Sequence, residues 1–324
     1  MKICVFGAGA VGGVIAARLA LAGNAISVIA RGPVLEALRR HGLRLQQDGR
    51  SRAVRVDATD RAADLGPQDL LVIAVKQPSL AALAVAAAPL VADHTRILLA
   101  MNGVPWWFFD GAEGPLAGTT LRSVDPDGDL RRRLPTGQVL GCVVHCACDT
   151  PEPGTSRLTM GNRLIIGEAL GASSSVTAAI ADLLRGAGFQ VAVSDQVRRD
   201  IWYKLWGNMT MNPVSALTGA TTDRILDDPL VNAFCCDIMA EAARIGERIG
   251  CRVGQIPQAR IAVTRELGAM KTSMLQDVEA GRPLELAAML GAVLEIADRV
   301  GVAAPNMAAL HGLTRLFAQV RGLV

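Results

Sequence analysis

Apolar positions along the chain change their period once, near residue 196. Before that point they come in short, β-rich runs: "KICVFG" from Lys2, then "AISVIA", "DLLVIAVK" and "RILLAMNG". These runs lack polar alternation, which predicts parallel strands buried on both faces. The first is followed by the helical stretch "GVIAARLALAG", with Gly23 as its expected C-cap. "GCVVHCACDTPEPGTSRLTMGNRLIIGE", residues 141 to 168, has β-like runs around a "PEPG" turn and closes the first half. Beyond residue 196 the apolar spacing becomes three and four. It runs through "SDQVRRDIWYKLWGNMTMNPVSALTG", "PLVNAFCCDIMAEAARIGERIG" and "PLELAAMLGAVLEIADRVG", and predicts helices.

The first strand runs into Gly7-Ala8-Gly9-Ala10-Val11-Gly12, a G-x-G-x-x-G placed between a strand and a helix. Gly7 permits the tight turn, Gly9 lets the backbone approach a pyrophosphate, and Gly12 lets helix and strand pack closely. The helix N-terminus adds free N–H groups for phosphate. The expected fold is an α/β N-terminal Rossmann-type dinucleotide-binding domain, residues 1–195, followed by an all-α C-terminal domain, residues 196–324. The active site is expected in the inter-domain cleft.

Composition narrows the function classes. Apolar residues make up 51% of the 324 positions, with 33 glycines, as in compact α/β enzymes. A net charge of +3 with scattered signs gives no nucleic-acid stripe and no membrane-binding arm. The seven cysteines are an odd number, Cys4 and Cys235 sit in apolar runs, and "HCAC" at 145–148 lacks a second paired cluster, so no metal is expected. "SVDPDG" lacks the later ligands of a calcium loop. No signal peptide and no run of ~20 apolar residues is visible, which predicts a soluble, cytoplasmic protein.

Strand ends carry the first candidate chemistry. NAD-selective loops end the second strand with an acidic residue, whereas here Arg31 stands in that place. Its guanidinium suits a 2′-phosphate, so NADP(H) is the expected cofactor. Lys76 and Asn102 end two further strands, and in open α/β folds ligands lie beyond the carboxyl ends of the strands. The second half contributes "KLWGNMTMNP", in which Lys204, Asn208 and Asn212 share one helical face amid Trp202, Leu205, Trp206, Met209 and Met211. Such a face offers one acid and two fixed, uncharged hydrogen-bonding groups.

"GAGAVGG", Arg31, "VK" at 75–76, "NG" at 102–103, "KLWGNMTMNP" and "SMLQDVEAGRPLE" at 273–285 together resemble the ketopantoate reductase family over nearly the whole chain. That resemblance implies NADPH-dependent reduction of a 2-oxo acid, most directly 2-dehydropantoate to pantoate in pantothenate biosynthesis. It implies Lys204 as general acid and Glu285 as the second catalytic residue, near the nicotinamide ribose. Asn102, Lys204, Asn208, Asn212 and Ser273 would bind substrate. Gly7, Ala8, Gly9, Ala10, Val11, Gly12, Arg31, Lys76, Asn102, Ala147 and Glu285 would hold the cofactor. The expected partner is a small-molecule 2-oxo acid, with no nucleic acid and no membrane, and a homodimer is compatible.

Two departures bear on the substrate. The chain between Asn102 and Ala147 is longer than the family pattern and includes "VPWWFF", readable as a wall of the substrate pocket or as packing beneath a loop. Thr222 stands where the family often has a substrate-contacting asparagine. The alternatives are therefore a reductase of a bulkier 2-oxo acid, a β-hydroxyacid dehydrogenase-like enzyme, and a non-catalytic NADP-binding sensor.

Overall fold

The computed structural model describes every residue except Leu267. The chain forms two compact units, Met1–Met101 with Gly128–Val197, and Asn102–Asp127 with Arg198–Val324.

In the first unit the strands are β1 (Ile3–Phe6), β2 (Ile26–Ile29), β3 (Leu43–Gln47), β4 (Arg50–Val54), β5 (Asp57–Thr59), β6 (Leu70–Ile73), β7 (Arg96–Leu99), β8 (Val139–Glu152), β9 (Thr155–Glu168) and β10 (Gln190–Val193). The helices are α1 (Ala10–Leu21), α2 (Gly32–His41), α3 (Leu80–Ala86), α4 (Asp129–Arg133) and α5 (Ser175–Gly186). One sheet runs β4-β3-β9-β8-β7-β6-β1-β2-β5, with β10 beside β9. From β5 across to β8 every neighbouring pair is parallel. β8 and β9 form a long antiparallel pair, bulged near Ala147. The unalternating runs have the expected cause, since Leu70 to Ile73 are completely buried.

Strands β3 to β5 went unmarked by the apolar pattern. β4, "RSRAV", is a polar, almost wholly exposed edge strand, and its turn residues Asp48 and Gly49 rather than hydrophobicity specify it.

The second unit holds α6 (Val197–Thr218) from its second residue onward, α7 (Thr222–Asp227), α8 (Pro229–Arg248), α9 (Pro257–Arg265), α10 (Ser273–Glu279), a π-helical turn at Ala287–Gly291, α11 (Ala292–Arg299) and α12 (Pro305–Arg321). Residues 102–127 belong here, a departure from the single boundary expected at 195. The reason lies in their side chains. Trp106, Trp107, Phe108 and Phe109 are all at most 3% exposed, and Phe108 packs edge-on against Phe109 and 6.2 Å from the Trp202 ring. The aromatic run is therefore core, and its reading as a pocket wall is replaced by packing. Among the described residues no helix is long and apolar enough to cross a membrane.

Candidate active site

The expected site residues divide between the two units. In the first, Gly7, Arg31 and Lys76 follow the carboxyl ends of β1, β2 and β6, three adjacent parallel strands. Gly7 has φ +100°, and a Cβ there would lie 2.7 Å from Val75 Cγ1. A Cβ at Gly12 would fall 1.9 Å from the Gly7 carbonyl oxygen, so α1 crosses the turn at a distance only glycine allows. Beside Gly9, by contrast, nothing lies within 4 Å of the Cβ position, which leaves the backbone accessible. Gly9 is also the N-cap of α1 and supplies no side-chain cap, so Ala10, Val11 and Gly12 present first-turn N–H groups. These features fit the pyrophosphate of a dinucleotide.

Arg31 is the exposed N-cap residue of α2, and Lys76 is partly buried where a short 3₁₀ turn follows β6. Ala147 lies in the bulged part of β8, where its carbonyl accepts a hydrogen bond from Thr159 Oγ1. Sequence reasoning missed Ser156. Its hydroxyl on β9 donates to the Gly9 carbonyl at 3.0 Å and occupies the space that a Cβ on Gly13 would need. The signal available was the second glycine of "VGG", which a close neighbour explains.

In the second unit the polar stripe of α6 meets two other segments. Lys204 Nζ donates to Asn102 Oδ1 at 2.8 Å, and Asn212 Nδ2 donates to Ser273 Oγ at 3.4 Å. Asn208, one turn from Lys204, is partly buried, and its carboxamide has no hydrogen bond among the described residues. The apolar side of the helix is fixed by Trp202, Trp206 and Met209, all completely buried, and by Trp206 Nε1 donating to Met239 O. That burial sets the rotation of α6 and so the direction of the polar stripe.

Asn102 is held by its successors. Gly103 has φ +83° and lies so close to the π-helical turn that a Cβ would be 2.8 Å from Ala288 O. Val104 N–H donates to that same carbonyl at 2.8 Å. Ala288 is three residues beyond Glu285, which is partly buried. The asparagine turn and the glutamate segment are thus fastened to one another, and π-turns concentrate at functional sites. Asp277 supports the same segment, accepting from Arg282 Nε at 3.1 Å while its carbonyl accepts the Arg282 N–H. This closes the turn after α10.

Thr222 makes a structural contact. It is 1% exposed, and its hydroxyl donates to Gly268 O and accepts from Met270 N–H.

Comparison with known proteins gives a consistent outcome. Residues 3–171 match the family described as Ketopantoate reductase PanE/ApbA, and residues 196–318 match Ketopantoate reductase PanE/ApbA C terminal. A 2-dehydropantoate 2-reductase of Mesorhizobium japonicum is 43% identical, with 99% of each chain covered. A solved structure from Ralstonia solanacearum MolK2 is 56% identical, covers 100% of this chain and 99% of its own, and superposes with a TM-score of 0.96. D-mandelate dehydrogenase, solved with NADH and anilino(oxo)acetate, shares the fold at 19% identity, with full coverage of both chains and a TM-score of 0.85.

Proposed function

Because the chain belongs to the ketopantoate reductase family, whose members are oxidoreductases acting on a CH–OH group, we propose that it reduces 2-dehydropantoate to pantoate with NADPH, as a step of cytoplasmic pantothenate biosynthesis. The observation that carries this reading is the hydrogen bond from Lys204 to Asn102 on the polar face of α6. It joins a proton donor to the strand-end asparagine in the manner a carbonyl reductase needs.

Gly7, Gly9, Gly12 and the first turn of α1 would hold the pyrophosphate, Arg31 the 2′-phosphate, and Lys76, Ala147, Asn102 and Glu285 the remainder of the cofactor. When bound, NADPH supplies the hydride that adds to C2 of the 2-oxo acid. Lys204 donates its Nζ proton to the C2 oxygen as charge develops there. Asn102 Oδ1 orients the ammonium through a neutral acceptor, so no carboxylate anchors the charge. Asn208 and Asn212 offer uncharged donors to the substrate, and Ser273, exposed at the start of α10, donates to its carboxylate. Glu285 orients the lysine and accepts from the product hydroxyl.

The test is NADPH oxidation followed with 2-dehydropantoate and a panel of branched, linear and aromatic 2-oxo acids. The reading expects 2-dehydropantoate to give the highest kcat/KM. A preference for an aromatic 2-oxo acid would replace the substrate while keeping the reaction, and no turnover with any of them would remove the enzyme reading.

A further inference from the structure

The glycine loop lies at one end of α1. At the other end, roughly 15 Å along the helix at 1.5 Å per residue, the first unit opens a hollow of about 670 Å³. Its lining includes three arginines, Arg18, Arg50 and Arg52, and one carboxylate, Asp48.

Arg18 is 8% exposed, and its hydrogen-bond partners are neutral, although the charge of Asp48 also acts on it. Nε and Nη2 donate to Gln47 Oε1 at 3.2 and 2.7 Å, Nη1 donates to Gly188 O at 3.1 Å, and the guanidinium lies 4.6 Å above the Phe189 ring. Burial lowers its pKa from the ordinary arginine value. A buried cation with no carboxylate hydrogen-bonded to it is costly, and the charge of Asp48 offsets that cost only in part.

The β3–β4 hairpin adds to this charge. Asp48 at φ +52° and Gly49 at φ +70° make a tight two-residue turn of the kind that fixes register. Gln47 then stands opposite Arg50, and Leu45 opposite Arg52. Cross-strand partners share a face. Both arginines are therefore on the side of Gln47, roughly 7 Å apart along the strand. Neither has a side-chain hydrogen bond or ion pair among the described residues. Asp48 already accepts from Gln47 Nε2 at 2.8 Å. Three cations against one anion leave the lining with a surplus of two positive charges.

We propose that this hollow is a binding site for a phosphate monoester carrying a small, partly apolar body, separate from the residues that would hold the cofactor. A phosphate dianion balances the surplus of two charges, and paired guanidiniums match its oxygens. Leu21 and Leu45 offer apolar wall to the body, and Asn162 a polar one. The volume is in the range of small-molecule sites, ~300–1,000 Å³. The site rests on the first unit alone and is independent of the substrate assignment.

Isothermal titration of phenyl phosphate into the full-length protein, with NADP⁺ in saturating excess, tests it. Saturable binding is expected, roughly tenfold or more weaker in Arg50→Gln/Arg52→Gln, since each lost charge-assisted bond is worth about one decade. Both substitutions are on an exposed edge strand, and circular dichroism checks that the variant is folded. Arg31→Gln should leave the affinity unchanged, and phenol should not bind. The proposal is overturned by absence of saturable binding at millimolar concentration, by equal affinity in the double variant, by equal binding of phenol, or by loss of binding in Arg31→Gln, which would place the phosphate on cofactor residues.

Discussion

The Nζ of Lys204 and the Oδ1 of Asn102 are 2.8 Å apart, across a sequence separation of 102 residues. A carboxylate in place of Asn102 would hold the ammonium by charge and oppose proton release, whereas a carboxamide directs it without that cost. Replacing Lys204 by alanine should lower kcat/KM by ~10²–10⁴-fold, the usual contribution of a positioned acid. NADPH affinity, read by fluorescence titration, should stay within a few-fold, because the glycine loop and Arg31 are in the other unit. Near-normal turnover in a folded, NADPH-binding variant would remove Lys204 from the role of acid.

Cofactor choice should depend on Arg31. It is exposed at the N-cap of α2 and has no acidic neighbour in sequence to hold a ribose 2′-hydroxyl. Arg31→Asp should cost roughly 10- to 100-fold in kcat/KM for NADPH, as expected for loss of charge-assisted hydrogen bonds, and should improve NADH relative to NADPH. Equal use of both cofactors by the unsubstituted protein would contradict this assignment.

Trp106 and Trp107 should matter for stability rather than for substrate choice. Both are essentially completely buried, and they directly precede Phe108 and Phe109, which belong to the core of the helical unit. Alanine at either position should destabilise by ~3–5 kcal/mol, the range for large aromatic truncations, and lower the melting temperature. The order of rates across the 2-oxo acid panel should not change. A reordered panel at unchanged melting temperature would restore the pocket-wall reading.

Much of this arrangement is legible in the sequence because its signals are local. The glycine loop, Arg31 and the period of α6 each sit within about a dozen residues, and spacing rules act over that range. What escapes is set by distant partners. Ser156 supports Gly9 from β9, 147 positions away, and nothing in "GTSRL" marks that contact. Glu241, 2% exposed in α8, accepts from Asn306 N, Asn306 Nδ2 and Met307 N, and so caps α12 from outside that helix. The aromatic run is legible as apolar, but the identity of its core is not, since that depends on where residues 102–127 dock.

Glu295 shows how those residues are held, and its protonation gives the last prediction. From α11 its carboxylate accepts the backbone N–H groups of Arg122 and Ser123, each at 2.9 Å, as well as the Ser123 hydroxyl. Burial alone would raise its pKa. The Ser123 hydroxyl and N–H, the Arg122 N–H and the charge of Arg299 outweigh that and hold it below the ordinary glutamate value of 4.5. A carboxyl depressed in the folded state contributes stability that is fully present above the unfolded value and is lost as pH falls through the folded one. The contribution should therefore be constant above about pH 5 and fade only in more acidic solution. Glu295→Gln should lower the melting temperature at neutral pH, and its deficit against the unsubstituted protein should narrow progressively below pH 4.5. Melting curves of both proteins between pH 3 and pH 7 read this directly, and a deficit that is independent of pH across that range would show that the carboxylate's charge is not what clamps the segment.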